Sequence, residues 1–177
     1  MKNLRVRIAV ALLSVTVCSK GAVFDYSYTF GSGDIVSGTL EGTQSGDFVN
    51  NVANVTVLFN GTAMSGTVYT ARYEPTGYEA GPIVSFDVHK NDLLFANSDF
   101  ANGDGGATEF LQIINANVYG SDLANAIIPG VGGVTTDLSF GLWSLTEQPG
   151  SSVPDAGSTA AMFGSALVCL TILKRKL

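Results

Sequence analysis

The densest group of potential metal ligands lies in one short stretch, between residues 97 and 106. Asp99, Asn102 and Asp104 offer hard oxygen ligands, and glycines lie between and after them. Calcium prefers such ligands, so the stretch is a candidate calcium site. Its spacing matches neither an EF-hand loop nor a glycine-rich calcium repeat, and ordinary turn chemistry explains the same residues. The sequence therefore favours a turn without a cofactor, with calcium as the alternative.

The remaining titratable residues suggest no catalytic arrangement. His89 is the single histidine, and no Gly-x-Ser-x-Gly turn accompanies it, so we interpret it as a surface turn residue rather than a catalytic base. Paired carboxylates can hydrolyse a glycosidic bond. The spacing selects no pair, however, among the five glutamates, which are Glu41, Glu74, Glu79, Glu109 and Glu147. The chain is therefore predicted not to be an enzyme.

Aromatic rings offer a third chemistry, the binding of sugar. Trp143 and Tyr78 are the first candidates for sugar contacts, and Tyr69, Tyr73 and Tyr119 are further ones. Exposed rings in a row would indicate a carbohydrate-binding module, whereas alternation along strands turns several of these rings toward a core. The sequence alone does not select a binding face.

Short runs in which apolar and polar residues alternate predict the strands that position these residues. Residues 23–30 place four aromatic rings on one face and polar residues on the other, which is typical of a strand with one buried face. Asn60-Gly61 predicts a hairpin, and a helical turn is expected at most near residues 122–126. The pattern predicts an all-β protein with a single antiparallel, jelly-roll-like β-sandwich. Its eight strands are expected at residues 23–30, 35–40, 55–59, 64–73, 84–88, 93–95, 110–119 and 138–143.

Charge separates the two ends of the chain from its middle. Seven of the nine basic residues lie in the terminal segments, whereas residues 23–155 hold all fifteen acidic residues against two basic ones, a net charge of −13. Such an acidic body should be repelled by phosphate, so no nucleic-acid partner is expected. The two cysteines, Cys18 and Cys169, lie in terminal apolar segments, so the body has no disulfide framework.

The N-terminal residues have the pattern of a signal peptide. Lys2, Arg5 and Arg7 precede an apolar run at residues 8–17, which is too short to span a bilayer comfortably. Small residues then offer a cleavage site. We therefore expect a signal peptide at residues 1–22, a β-sandwich ectodomain at residues 23–150 and a separate tail at residues 151–177.

The tail has three parts in order. A small, polar, turn-prone segment contains Val153, Pro154, Asp155, Ala156, Gly157, Ser158 and Thr159. An apolar stretch at about residues 157–173 is just long enough for a membrane-spanning helix. The membrane stop consists of Lys174, Arg175 and Lys176. Basic residues favour the cytoplasmic side, so the tail is predicted to hold the ectodomain outside the inner membrane.

The tail resembles the PEP-CTERM family of sorting signals and is most similar to the variant that usually reads Val-Pro-Asp-Ser-Gly. Ala156 stands where that variant has serine, while Pro154, Asp155 and Gly157 are in place. The resemblance implies processing by an exosortase, a membrane-embedded enzyme similar to cysteine transpeptidases, in a Gram-negative host that makes extracellular polysaccharide. It also implies transient anchoring on the periplasmic side, followed by transfer to the cell surface or extracellular matrix.

The leading interpretation is an exported, non-enzymatic surface or matrix protein. The alternative is a carbohydrate-binding module or a weak glycoside hydrolase that acts on extracellular polysaccharide. An exposed row of aromatic rings would favour binding, two facing carboxylates in a cleft would favour hydrolysis, and a flat polar surface would favour the leading interpretation.

Overall fold

Antiparallel strands dominate the computed structural model, which describes residues 21–130 and 133–151. Those residues also contain the short helix α1 (Ala116–Tyr119) and two 3-10 turns, Val88–Lys90 and Phe100–Asn102. None of their helices is long and apolar enough to cross a membrane. The predicted all-β class is confirmed. The strands are β1 Ala22–Thr29, β2 Ile35–Ser45, β3 Phe48–Ala53, β4 Leu58–Phe59, β5 Thr62–Ala63, β6 Tyr69–Glu74, β7 Gly77–Ala80, β8 Val84–Ser85, β9 Asp92–Ala96, β10 Phe110–Ile114, β11 Leu123–Ile127, β12 Val134–Asp137 and β13 Leu142–Glu147.

The strands form two antiparallel sheets, an arrangement consistent with the predicted β-sandwich. The first sheet has the order β13-β1-β2-β3-β8, with β4 paired to β2 and β5 paired to β4. The second sheet has the order β12-β11-β10-β9-β6-β7. Consecutive strands are neighbours in β1-β2-β3 and in β9-β10-β11-β12, so the order is largely a meander rather than the jelly-roll-like order that we expected.

The main core contains inward-facing residues of both sheets. In β1, alternate residues Phe24, Tyr26 and Tyr28 are almost fully buried, as the alternation in the sequence predicts. Leu93 and Phe95 of β9 belong to the same cluster. Burial of each such side chain contributes roughly 1.5–3 kcal/mol relative to exposure. This core fixes which residues of each strand must lie on the outer faces.

The hairpin at Asn60-Gly61 is confirmed. These two residues join β4 to β5, and their φ angles are 47° and 85°. Positive φ at both central residues is the geometry that makes Asn-Gly favourable in a two-residue hairpin. The Asn60 side chain also accepts a hydrogen bond from the Ile35 backbone and donates one to Asp34. The turn therefore ties this small hairpin to the start of β2.

Two predictions in the second half of the chain are wrong because caps interrupt an apolar run. Residues 110–119 do not form one strand: β10 ends at Ile114, and Asn115 then caps α1 by accepting a hydrogen bond from the Asn117 backbone. Gly120, with φ of 85°, ends this helix. The helical turn expected near residues 122–126 is absent, and β11 occupies those residues instead.

The strand predicted at residues 138–143 begins too early. Residues 138–141 form the turn between β12 and β13, β13 begins only at Leu142, and Leu138 and Leu142 are 77% and 78% exposed. Asp137 holds this turn because its carboxylate accepts hydrogen bonds from the Tyr28 hydroxyl and the Gly31 backbone. Leu138 thus lies in a surface turn, and Leu142, the first residue of β13, faces outward instead of lying on a buried face.

Most of the predicted terminal segments lie outside the described residues. Ala22, the last residue of the predicted signal peptide, is the first residue of β1 and pairs with Gly42. The predicted membrane helix at residues 157–173, the sorting residues 153–159 and the basic residues 174–176 all fall beyond residue 151, where the description ends.

Candidate functional site

Four aromatic rings contact one another in succession on the outer side of the second sheet, and we call them the aromatic row. The row runs from Tyr119 through Tyr73 and Tyr78 to Phe100, with ring centroids 5.8, 5.5 and 5.0 Å apart. The first two contacts are edge-to-face and the third is tilted, which are favourable arrangements for aromatic pairs. Tyr119 is 53% exposed, and the other three rings are partly buried.

The row is positioned by local structure that its sequence explains. Tyr73 of β6 and Tyr78 of β7 are directly opposite in the hairpin register, so their rings meet as a cross-strand pair. Tyr119 is the last residue of α1, and Phe100 is the first residue of a 3-10 turn that Asp99 caps. A small second core of Ala71, Leu94 and Ala96 supports Tyr78 and Phe100.

Two buried polar side chains hold the row from below. The amide of Gln112 donates a hydrogen bond of 2.8 Å to the Tyr78 hydroxyl, and the Tyr73 backbone donates one of 2.9 Å to the carboxylate of Asp92. Burial raises the pKa of Tyr78, and the Gln112 hydrogen bond partly offsets that rise. These contacts give the rings a fixed position.

Asp92 is a buried carboxyl group, only 1% exposed. Burial raises its pKa above the ordinary value of 3.8, against the opposing effects of the Tyr73 hydrogen bond and Arg72. The folded state therefore binds the Asp92 proton more tightly than the unfolded state does. The contribution of Asp92 to stability is consequently greatest below the ordinary pKa and is lost as the pH rises through the folded-state pKa.

Replacing Asp92 with asparagine should remove this pH dependence, because the amide cannot ionise but its oxygen can still accept from the Tyr73 backbone. The free energy of unfolding of D92N relative to the wild type should increase from pH 4 upward and then level off. Each unit of pKa elevation corresponds to about 1.4 kcal/mol. Urea unfolding at a series of pH values from 4 upward measures the free energy of unfolding of both proteins. A difference between the two proteins that does not change with pH would contradict the prediction.

Glu74, Glu79 and Arg72 lie beside the aromatic row, and we call them the rim. The rim is acidic, and both of its glutamates pair with its arginine. The Arg72 guanidinium pairs with Glu74 at 2.9 Å and also with Glu79, and it donates to the backbone oxygens of Ala80 and Gly81. The Glu74 hydrogen bond is the main reason that the pKa of Arg72 is raised. Glu74 and Glu79 are therefore salt-bridged to an arginine and do not face each other across an open cleft.

Trp143 lies in a different part of the molecule from the row. Its ring stacks on Tyr26 of the main core at 6.0 Å, and its indole N–H donates a hydrogen bond of 2.9 Å to the Ser85 backbone oxygen. The structure thus separates the two residues first proposed for sugar contacts: Tyr78 belongs to the row, whereas Trp143 packs against the main core. Tyr69 is an exposed residue of β6. Phe100, which was not among the aromatic residues proposed from the sequence, completes the row.

The stretch proposed for calcium is organised by its own hydrogen bonds. Asp99 caps the turn by accepting from the backbone and the side-chain amide of Asn102, at 3.3 and 2.7 Å. The backbone oxygen of Asp104 accepts from Ser98. Across the described residues, no three His, Cys, Asp or Glu side chains are grouped as metal ligands would be. Calcium binding by Asp99, Asn102 and Asp104 stays a prediction.

His89 and Glu109 make local contacts. The His89 ring is exposed and lies 2.9 Å from the Asp122 carboxylate. Both carboxylate oxygens of Glu109 accept hydrogen bonds from Ser65, one from its backbone and one from its hydroxyl. These contacts tie neighbouring loops together, and the exposed position of His89 agrees with its interpretation as a surface turn residue.

Two rows of polar residues lie on the outer face of the first sheet. Because Phe24, Tyr26 and Tyr28 of β1 face the core, the residues between them and their partners on β2 and β13 face outward. The register aligns these residues in two rows of three across the sheet, Ser144-Ser27-Ser37 and Thr146-Asp25-Thr39. These two rows carry mainly hydroxyl groups, and the next row, at Thr29, adds the exposed side chains of Ile35 and Leu142.

The segment that leads to the tail is fixed to the first strand. The Gln148 backbone donates a hydrogen bond of 2.8 Å to the Val23 oxygen, and the Ser151 hydroxyl lies 2.7 Å from the Gln148 oxygen and 3.2 Å from the Val23 oxygen. The Gln148 amide also donates to Asp25. Ser151, which directly precedes the tail, is therefore held at the end of the sandwich where β1 begins.

The comparisons with known proteins concern the tail. No curated protein and no solved structure matches the chain significantly. A family model described as the VPDSG-CTERM motif matches residues 152–177. The resemblance inferred from Val153, Pro154, Asp155 and Gly157 is thereby confirmed, and Ala156 does not prevent the match. The chain is a secreted protein whose residues 152–177 carry a VPDSG-CTERM motif, a C-terminal sorting signal of the PEP-CTERM type.

Proposed function

We propose that the chain is a non-enzymatic cell-surface or matrix protein that an exosortase-like enzyme processes at its tail. The observation that carries this proposal is the VPDSG-CTERM match at residues 152–177. In this proposal a signal peptide at residues 1–22 directs export. The apolar stretch at residues 157–173 then holds the protein in the inner membrane, with the β-sandwich on the periplasmic side, until processing transfers the protein to the surface.

The β-sandwich fits the role of a passive ectodomain. Its first sheet presents two rows of mainly hydroxyl-bearing residues, and the neighbouring acidic residues Glu74 and Glu79 are salt-bridged to Arg72. Retaining and inverting hydrolysis both need two carboxyl groups that flank the bond to be cut. The described contacts therefore support a surface or matrix role more than the hydrolase alternative.

The composition of the sorting motif adds to the proposal. The extended conformation that Pro154 favours and the bend that Gly157 permits would present the motif to the processing enzyme.

Mass spectrometry of the mature protein from its native host tests the proposal. We expect an N-terminus near residue 22 and the loss of Lys174, Arg175 and Lys176 with the apolar stretch. The same measurement in a strain that lacks the exosortase-like enzyme provides the control and should show an intact tail. A mature wild-type protein that keeps its last residues would contradict the proposal.

A further inference from the structure

We propose that the aromatic row binds a neutral polysaccharide chain. The rings of Tyr119, Tyr73, Tyr78 and Phe100 form the site, on the outer side of the second sheet. This inference does not depend on the processing of the tail, because every residue that carries it belongs to the β-sandwich. It assigns a ligand class to a surface that sorting leaves unexplained.

The rings of the row form one continuous apolar patch. Successive ring centroids are 5.0–5.8 Å apart at interplanar angles of 59–76°, so neighbouring rings contact one another and together present a surface of ring faces and edges. Sugars present apolar C–H faces between their hydroxyl groups, and aromatic rings bind such faces while the hydroxyl groups stay in water. Tyr119 is the most exposed ring of the row and would make the largest contact.

The row is also held rigid before any ligand arrives. Gln112 fixes the Tyr78 hydroxyl, Asp92 holds the Tyr73 backbone, and Gly120 ends the helix directly after Tyr119. Tyrosine side chains have few rotatable bonds, so they give contact area at a low cost in conformational entropy. Fixed rings lose less entropy on binding, which raises affinity.

The charges around the row disfavour an anionic ligand. Glu74 and Glu79 line the rim, and the one cation beside them, Arg72, is bound by both of these carboxylates. Anionic polysaccharides should be repelled by this rim. Carboxylate oxygens, in contrast, can accept hydrogen bonds from sugar hydroxyl groups. Among polysaccharides, an uncharged glycan therefore fits both the rings and the rim better than an acidic one does.

Affinity electrophoresis of the full chain in a sugar-free non-ionic detergent tests this inference. The gels contain one of three neutral glucans, with β-1,4, β-1,3 or α-1,6 linkages, or the acidic polysaccharide alginate. We expect at least one neutral glucan to retard the protein and alginate to leave its mobility unchanged. Removal of the exposed ring in Tyr119→Ala should raise the dissociation constant about tenfold.

Phe48→Ala is the matched control, since it removes a partly exposed ring from β3 of the other sheet. Its retardation should equal that of the wild type, and both variants should melt close to the wild-type temperature. The inference is overturned if none of the three glucans retards the protein, if alginate alone does, or if Tyr119→Ala is retarded as strongly as the wild type.

Discussion

Replacing Asp155 with alanine should leave the sorting tail attached to nearly every copy of the protein. Asp155 carries the only charge between residues 151 and 173, so a basic group of the processing enzyme has one carboxylate to recognise. A hydrogen bond to a charged group contributes about 1.5–3 kcal/mol, which corresponds to roughly ten- to hundredfold slower processing. Intact-mass measurement of the protein from its native host gives the processed fraction.

Ala156→Ser is the matched control for Asp155→Ala. It changes the neighbouring residue to the one that is usual in this variant of the signal, and it keeps Pro154, Asp155 and Gly157. This variant should be processed at least as completely as the wild type. Normal processing of Asp155→Ala would show that the enzyme does not read the carboxylate, whereas loss of processing in both variants would indicate that any change in the segment is harmful.

The parts of the molecule that could be predicted from the sequence depend on neighbouring residues. Alternation over residues 23–30 gave β1 with its buried aromatic face, because the side chains of a strand have a period of two. Asn60-Gly61 gave a hairpin, because only a few residues tolerate positive φ at both positions. The tail motif was equally local, since Pro154, Asp155 and Gly157 lie within four positions.

The parts that could not be predicted depend on long-range pairing. The aromatic row joins Tyr73 to Tyr119 and Tyr78 to Phe100, and no local period relates these positions. Phe100 lies inside the stretch proposed for calcium, where Asp99 caps a 3-10 turn. Alternation also placed the start of the last strand too early, since Leu138 lies in a surface turn and β13 begins only at Leu142.

Gly38 in strand β2 should not tolerate replacement by any other residue. Gly38 lies opposite Tyr26 in the sheet, and the backbone at Thr56 crosses directly over it. A Cβ atom at residue 38 would lie 2.8 Å from the Thr56 carbonyl carbon and closer still to its oxygen, far inside van der Waals contact. Gly38→Ala should therefore lower the free energy of unfolding by about 3 kcal/mol or more, the upper end of the range for overpacking.

The backbone at Thr56 cannot move aside cheaply, because several hydrogen bonds fix it. The Tyr26 hydroxyl donates to the Thr56 oxygen at 2.8 Å, and the Thr56 backbone and hydroxyl both bond to Thr39. Denaturation with urea, followed through the fluorescence of the single tryptophan, Trp143, measures the loss, since its ring stacks on Tyr26. Gly105→Ala is the control: a Cβ there meets no atom within 4 Å, so stability should be nearly unchanged. Equal unfolding midpoints for the two variants would show that the segment at Thr56 yields to a methyl group, and that its close approach to β2 contributes little to stability.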